Sequence, residues 1–93
     1  MAQQMQAEMA RAEVELQALR VEGSAGGGAV RATVTGKLDL VSIAISPEVV
    51  DPEDVEMLQD LVTAAVGDAL SQARKAGEER MARVTGGLRL PGM

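Results

Sequence analysis

The chain has 93 residues, 46 % of them apolar, with no Cys, His, Phe, Tyr or Trp and a net charge of −5. That length holds one domain, and without aromatic side chains its core is thin, so a second subunit is expected to complete it. Lack of cysteine and histidine excludes disulfides and thiolate metal sites, and removes the side chain best suited to proton transfer near neutral pH.

From Ala2 to about Leu19 the chain has no Gly or Pro and is rich in Gln, Glu, Ala, Met, Leu and Arg, all strong helix formers. Met5, Met9, Ala12, Leu16 and Leu19 recur at helical spacing and predict one apolar stripe. Eighteen helical residues span ~27 Å, which is long for so small a body. Part of this helix is expected to lie against a partner or to project. Val21–Gly26 is expected to form a first strand, ahead of a turn carried by Gly26-Gly27-Gly28. Val30, Ala32 and Val34 then alternate with Arg31, Thr33 and Thr35, which predicts a half-exposed second strand. Gly36-Lys37 suits a two-residue hairpin turn, with Gly at its first central position.

A third strand is expected over Leu38–Ile45. Val41, Ile43 and Ile45 share one parity and Leu38 and Leu40 the other, so either a bulge switches the faces or both faces are covered. Ser46-Pro47-Glu48 reads as a capped single helical turn. Asp51-Pro52-Glu53-Asp54 carries the start signals of a second long helix: a capping Asp, an early Pro and acids in the first turn. Its predicted buried stripe is Leu58, Leu61, Val62, Ala65, Ala69, Leu70, Ala73 and Ala76. Gly77 is expected to kink or break it, with a further helix over Glu78–Val84 that stops before Gly86-Gly87. The predicted fold is therefore α+β: a three-stranded antiparallel meander with flanking long helices, in the order α-β-β-β-α-α. Residues 1–84 are expected to form one domain and residues 85–93 a mobile tail.

No apolar run approaches the ~20 residues of a membrane span. The Gln- and Glu-interleaved N-terminus differs from the apolar stretch of a signal peptide. A soluble cytoplasmic protein is expected, with no membrane partner.

Three stretches of the chain resemble the YbaB/EbfC family of nucleoid-associated proteins: MQAEMARAEVELQALRVEGSAGGGAVRATVTGK, ISPEVVDPEDVEMLQDLVTAAVGDAL and TGGLRLPGM. The similarity extends over nearly the whole length. Its most specific pieces are Glu22–Gly28, Gly36-Lys37, Pro47-Glu48, Asp54–Leu61 and Thr85–Met93. The resemblance implies a tweezer-like homodimer that binds DNA in the bacterial nucleoid, in some members with effects on gene expression. Two departures stand out. Ser42 and Ala44 occupy places where relatives often carry charge, and the first helix lacks the Lys-containing extension of many relatives.

Charge is laid out unevenly. Residues 1–73 hold four basic and twelve acidic side chains, a net of −8, whereas residues 74–93 hold five basic and two acidic ones, a net of +3. The candidate DNA-binding residues are thus Arg74, Lys75, Arg80, Arg83 and Arg89. Arg80 and Arg83 share a helix face, and arginine donates to phosphate in two-pronged fashion. In a homodimer the patch appears twice. On charge alone a solvated face, with Glu79 and Arg83 as a surface pair, is the better explanation; the resemblance reverses that preference. Arg11 and Arg20, nine residues apart, point to opposite sides of the first helix, and surface roles suit them better.

The remaining motifs have plainer explanations. The Gly-rich loop lacks the Gly-Lys-Ser/Thr ending of a nucleotide loop and precedes a strand, so it is a turn. The acids from Asp51 to Glu56 offset a helix dipole rather than bind a metal. The Met1, Met5 and Met9 stripe is for packing or dimer contact. Ser24, Ser42, Ser46 and Ser71 have no histidine to activate them, so no enzyme activity, small-molecule substrate or cofactor is expected. Readers of single strands and RNA stack bases on aromatic rings, and this chain has none, which leaves double-stranded DNA held through its backbone. The competing expectation is a protein-interaction scaffold whose DNA binding is incidental.

Overall fold

The computed structural model describes the backbone of residues 2–86 and the side chains of residues 3–80 and 82. The helix α1 (Ala2–Ala18) leads into three strands, β1 (Arg20–Ala25), β2 (Val30–Thr35) and β3 (Leu40–Ile45). A 3₁₀ turn over Pro47–Val49 follows, and a second helix α2 runs over Val55–Gly86. The strands form one antiparallel sheet in the order β1-β2-β3. The predicted meander and long flanking helices are all present.

The sheet packs one face on α2. Val30, Ala32 and Val34 of β2 meet Ala65, Ala69 and Ala73 of α2, and all six are fully buried. Val21, Leu58, Leu61, Val62 and Leu70 close around them. Small residues dominate the helix side of this contact because α2 lies very close to β1. A Cβ on Gly23 would stand 2.1 Å from the Ala69 nitrogen and 2.6 Å from the Ala65 oxygen. The Asp68 carboxylate also accepts the Ser24 N–H at 3.0 Å, which covers the outer edge of β1.

β3 has no such cover. All six of its residues are exposed, including Leu40, Val41, Ile43 and Ile45. Ile43 and Ile45 lie opposite Ala32 and Val30, hence on the helix side of the sheet, but α2 runs over β1 and β2. The parity conflict in β3 is resolved by a bulge: Thr33 pairs with Ser42 and Val34 with Leu40, leaving Val41 as the extra residue. Leu40 thereby joins Ile43 and Ile45 on one face.

Four sequence expectations are corrected. The β2–β3 connection is not a two-residue turn with Gly at a left-handed position. Thr35 and Asp39 close a three-residue loop, with Leu38 N–H donating to Thr35 O at 3.0 Å and Thr35 N–H to Asp39 O at 2.8 Å. The left-handed residue is Leu38, at φ 71°. Gly36 is required for space instead: its N–H donates to Leu16 O at 2.8 Å, and a Cβ there would stand 2.8 Å from that oxygen.

Asp51-Pro52 does not open α2. Asp51 accepts the Glu53 N–H at 2.9 Å in a turn, and Asp54, which accepts the Met57 N–H at 3.1 Å, is the cap of a helix that begins at Val55. Gly77 does not break α2, which continues to Gly86. A helical Gly loses ~1 kcal/mol relative to Ala, and here Gly77 is held by packing, 3.6 Å from Gly36 O by its virtual Cβ. The order is accordingly α-β-β-β-α. Lastly, Ser46 precedes the 3₁₀ turn without a side-chain capping bond.

α1 touches the rest only near its C-terminal end. Ala12 and Leu16 are buried, whereas Met5 and Met9 on the same stripe are exposed. The described chain extends 60 × 27 × 16 Å, with α1 projecting as an arm. The expected tail, apart from Thr85 and Gly86, lies outside the described residues.

Candidate nucleic-acid interface

α2 passes over the sheet as far as Gly77, beside the β2–β3 loop, then runs on past it alongside α1. Arg74, Lys75 and Arg80 sit on this outgoing segment. Continuity of the helix decides how they are presented. Successive residues turn by ~100°, so Arg74 and Arg80, six apart, diverge by ~120° and Lys75 points a third way. The three cations flank the helix rather than forming one face.

Their surroundings differ as well. Lys75 is exposed and makes no ion pair among the described residues. Arg74 lines an open, largely apolar recess of about 310 Å³ with Leu16, Gly36, Leu38, Gly77 and Glu78. Arg80 faces α1, where its Nη1 donates to Glu15 Oε2 at 3.2 Å. The two side chains keep 34 % and 51 % of their surface in solvent. A pair so exposed contributes only ~0–1 kcal/mol. The Arg83 side chain and Arg89 lie outside the described residues.

Two other arginines have different settings. Arg20 donates to the carbonyls of Gln17 at 2.8 Å and Leu19 at 3.3 Å, satisfying the C-terminal end of α1. Its structural role explains its presence without DNA. Arg31 is exposed on the sheet face that α2 does not cover, across from Ser24 and Ala44. It had no place among the sequence candidates, although the alternation along β2 already set it outward.

The glycine loop is a turn, with Gly26, Gly27 and Gly28 all at positive φ (64°, 69° and 94°). The acids at the start of α2 act locally, and among the described residues no group of three potential ligands is placed to hold a metal. No helix of the described residues is long and apolar enough to cross a membrane.

The model of the YbaB/EbfC DNA-binding family matches residues 1–88. The chain belongs to that family. Named nucleoid-associated proteins are close in sequence to it. One from Alkaliphilus metalliredigens is 50 % identical over 91 residues, covering 98 % of this chain and 80 % of its own. Another from Chloroflexus aurantiacus is 55 % identical over 89 residues, covering 96 % of this chain and 89 % of its own. The crystal structure of an uncharacterized protein from Helicobacter pylori shares the fold at a TM-score of 0.67 and 24 % identity, over 94 % of this chain and 87 % of that one. Arg74, Lys75, Arg80 and Arg83 fall inside the YbaB/EbfC match, and Arg89 falls just beyond it.

Proposed function

We propose that this YbaB/EbfC protein binds double-stranded DNA as a homodimer, with low sequence specificity, in the cytoplasmic nucleoid, and that it alters DNA conformation and thereby gene expression. The match to the DNA-binding family over residues 1–88 carries the proposal. The charge layout supports it: a net of +3 over residues 74–93 against −8 over residues 1–73 brings phosphate to one end. Arg74, Lys75, Arg80, Arg83 and Arg89 are proposed as the contacts, with Arg80 exchanging Glu15 for a phosphate. Duplex is favoured over single strands because no aromatic ring is available to stack a base.

β3 supports dimerisation. Its Leu40, Ile43 and Ile45 are apolar, exposed and adjacent, while the opposite edge of the sheet is covered by Asp68. A second copy seated on β3 removes that surface from water and presents the cations twice.

Duplex binding measured over a salt series tests the proposal. Log affinity is expected to fall with log salt at a slope of only a few charges per dimer, and Arg80→Gln with Arg83→Gln to weaken it while the dimer persists. A salt-independent titration, or unchanged binding by that variant, refutes it.

The alternative, a scaffold for other proteins, is favoured by the same bare strand. Capture of a stoichiometric protein partner from nuclease-treated extract, without duplex binding near physiological salt, selects the scaffold.

A further inference from the structure

α1 is tied to the rest of the molecule by two kinds of contact. Around Leu16 it is fixed by packing and by the backbone bond from Gly36 N–H to Leu16 O at 2.8 Å. One turn nearer the N-terminus, Ala12 is buried. Between them stands Glu15, whose carboxylate reaches across to Arg80 and forms the one ion pair among the described residues.

That pair is built to be exchanged. It is a single contact at 3.2 Å from one Nη of a guanidinium that has five N–H donors. Both partners are solvated, so breaking it strands neither charge in a dry environment. A phosphate takes the same donor by the same charge-assisted bond, and offers a second oxygen for a two-pronged contact that the Glu15 carboxylate does not make here. A duplex also releases condensed counterions when its phosphates are neutralised, which an isolated carboxylate cannot match.

We propose that Glu15 is an internal competitor for phosphate at Arg80: duplex binding replaces the ion pair. The inference rests on the DNA-binding function proposed above. Its consequence is a discount of a few-fold on duplex affinity, set by a weak exposed pair in each subunit.

Neighbouring Glu13 supplies the control. It is exposed on the same helix, carries the same charge and makes no ion pair among the described residues. Glu15→Gln and Glu13→Gln therefore raise the net charge equally, and only the first frees Arg80. Duplex affinity of the full-length protein is measured by fluorescence anisotropy at one fixed salt concentration, with circular dichroism confirming the fold of each variant. Glu15→Gln is expected to bind about threefold to tenfold more tightly than wild type, since a weak exposed pair is removed from each of two subunits. Glu13→Gln is expected to gain less than about twofold.

In an Arg80→Gln background the advantage of Glu15→Gln over Glu13→Gln disappears. Equal affinity of the two single variants overturns the proposal, as does weaker binding by Glu15→Gln, which makes the pair a support for Arg80 rather than a rival. Persistence of the advantage without Arg80 overturns it too. If wild type and variants alike fail to bind duplex at any salt, the DNA-binding function falls, and this inference with it. If wild type binds and the two variants are equal, only the competition is lost.

Discussion

Replacing Gly23 by alanine tests the closest contact in the fold. The new Cβ would stand 2.1 Å from the Ala69 nitrogen, 2.6 Å from the Ala65 oxygen and 2.6 Å from Ala69 Cα. All three are backbone atoms, so no side chain can rotate aside. Ordinary contact needs ~3.5 Å, hence α2 must shift from β1 by on the order of 1 Å. A gap of that size forfeits a quarter to a half of the dispersion energy at each contact it opens, here those of Ala65, Ala69 and Ala73. Overpacking of this kind costs ~1–3 kcal/mol, and the upper figure applies where the obstruction is main chain. A loss of ~3 kcal/mol lowers the melting temperature of a domain this size by roughly 12–24 °C.

The assay is thermal unfolding followed by circular dichroism at one fixed protein concentration, because a dimer's melting point moves with concentration. Gly67, on the same helix, has nothing within 4 Å of its virtual Cβ. Gly67→Ala is accordingly expected to raise stability by ~1 kcal/mol through helix propensity alone. A Gly23→Ala variant that melts within a few degrees of wild type would refute the tight seating of α2 on β1.

Three further outcomes are expected. Asp54→Ala removes the cap on the Met57 N–H and should cost ~1 kcal/mol in urea unfolding, whereas the same change at Asp51 alters only a turn and should cost less. Leu38→Gly relieves a side chain held at φ 71°; the left-handed conformation costs ~1–2 kcal/mol, of which glycine's extra chain entropy returns about half, so a net gain of ~0.5–1 kcal/mol should appear in the same assay. Ile43→Asp on the exposed helix side of β3 should convert a dimer to monomer in sedimentation velocity without loss of helix signal, and an unchanged sedimentation coefficient would show that β3 is not the contact.

Local patterning made most of the fold legible. Period-two alternation from Val30 to Val34 and helical spacing from Leu58 to Ala76 each describe a surface that meets the core, and burial is found there. Thr35, expected to be exposed, is buried instead, its hydroxyl accepting the Lys37 and Asp39 N–H groups of the following loop. What stayed hidden depends on distant residues. Asp51 and Asp54 carry the same capping chemistry, and local sequence does not separate the one that closes a turn from the one that caps the helix. Gly36 and Gly77 resemble punctuation in the sequence; in the fold they are the two places where α2, the β2–β3 loop and Leu16 converge. The site was the least legible. In the sequence Arg80 reads as a free cation of the C-terminal segment, while its observed partner, Glu15, lies 65 positions away on α1, which no local pattern reports.

The two proposed surfaces have a common origin in the small residues of α2. Ala65, Ala69 and Ala73 let the helix settle against Gly23 and Ala32, and a helix seated so low covers two strands well and a third hardly at all. β3 is left apolar and bare on the side where α2 stops. Meanwhile a six-residue strand spans only ~20 Å against ~48 Å for the 32-residue helix. The nine residues beyond Gly77 therefore have no sheet beneath them, and this ~14 Å of helix has α1 rather than the sheet as its neighbour. Arg80 stands there with 34 % of its side chain in solvent, outside the sheet core. A bare apolar strand at one side and a helix that runs on beyond the sheet at the other follow from one packing choice, so lengthening the small side chains of α2 should disturb pairing and DNA contact together.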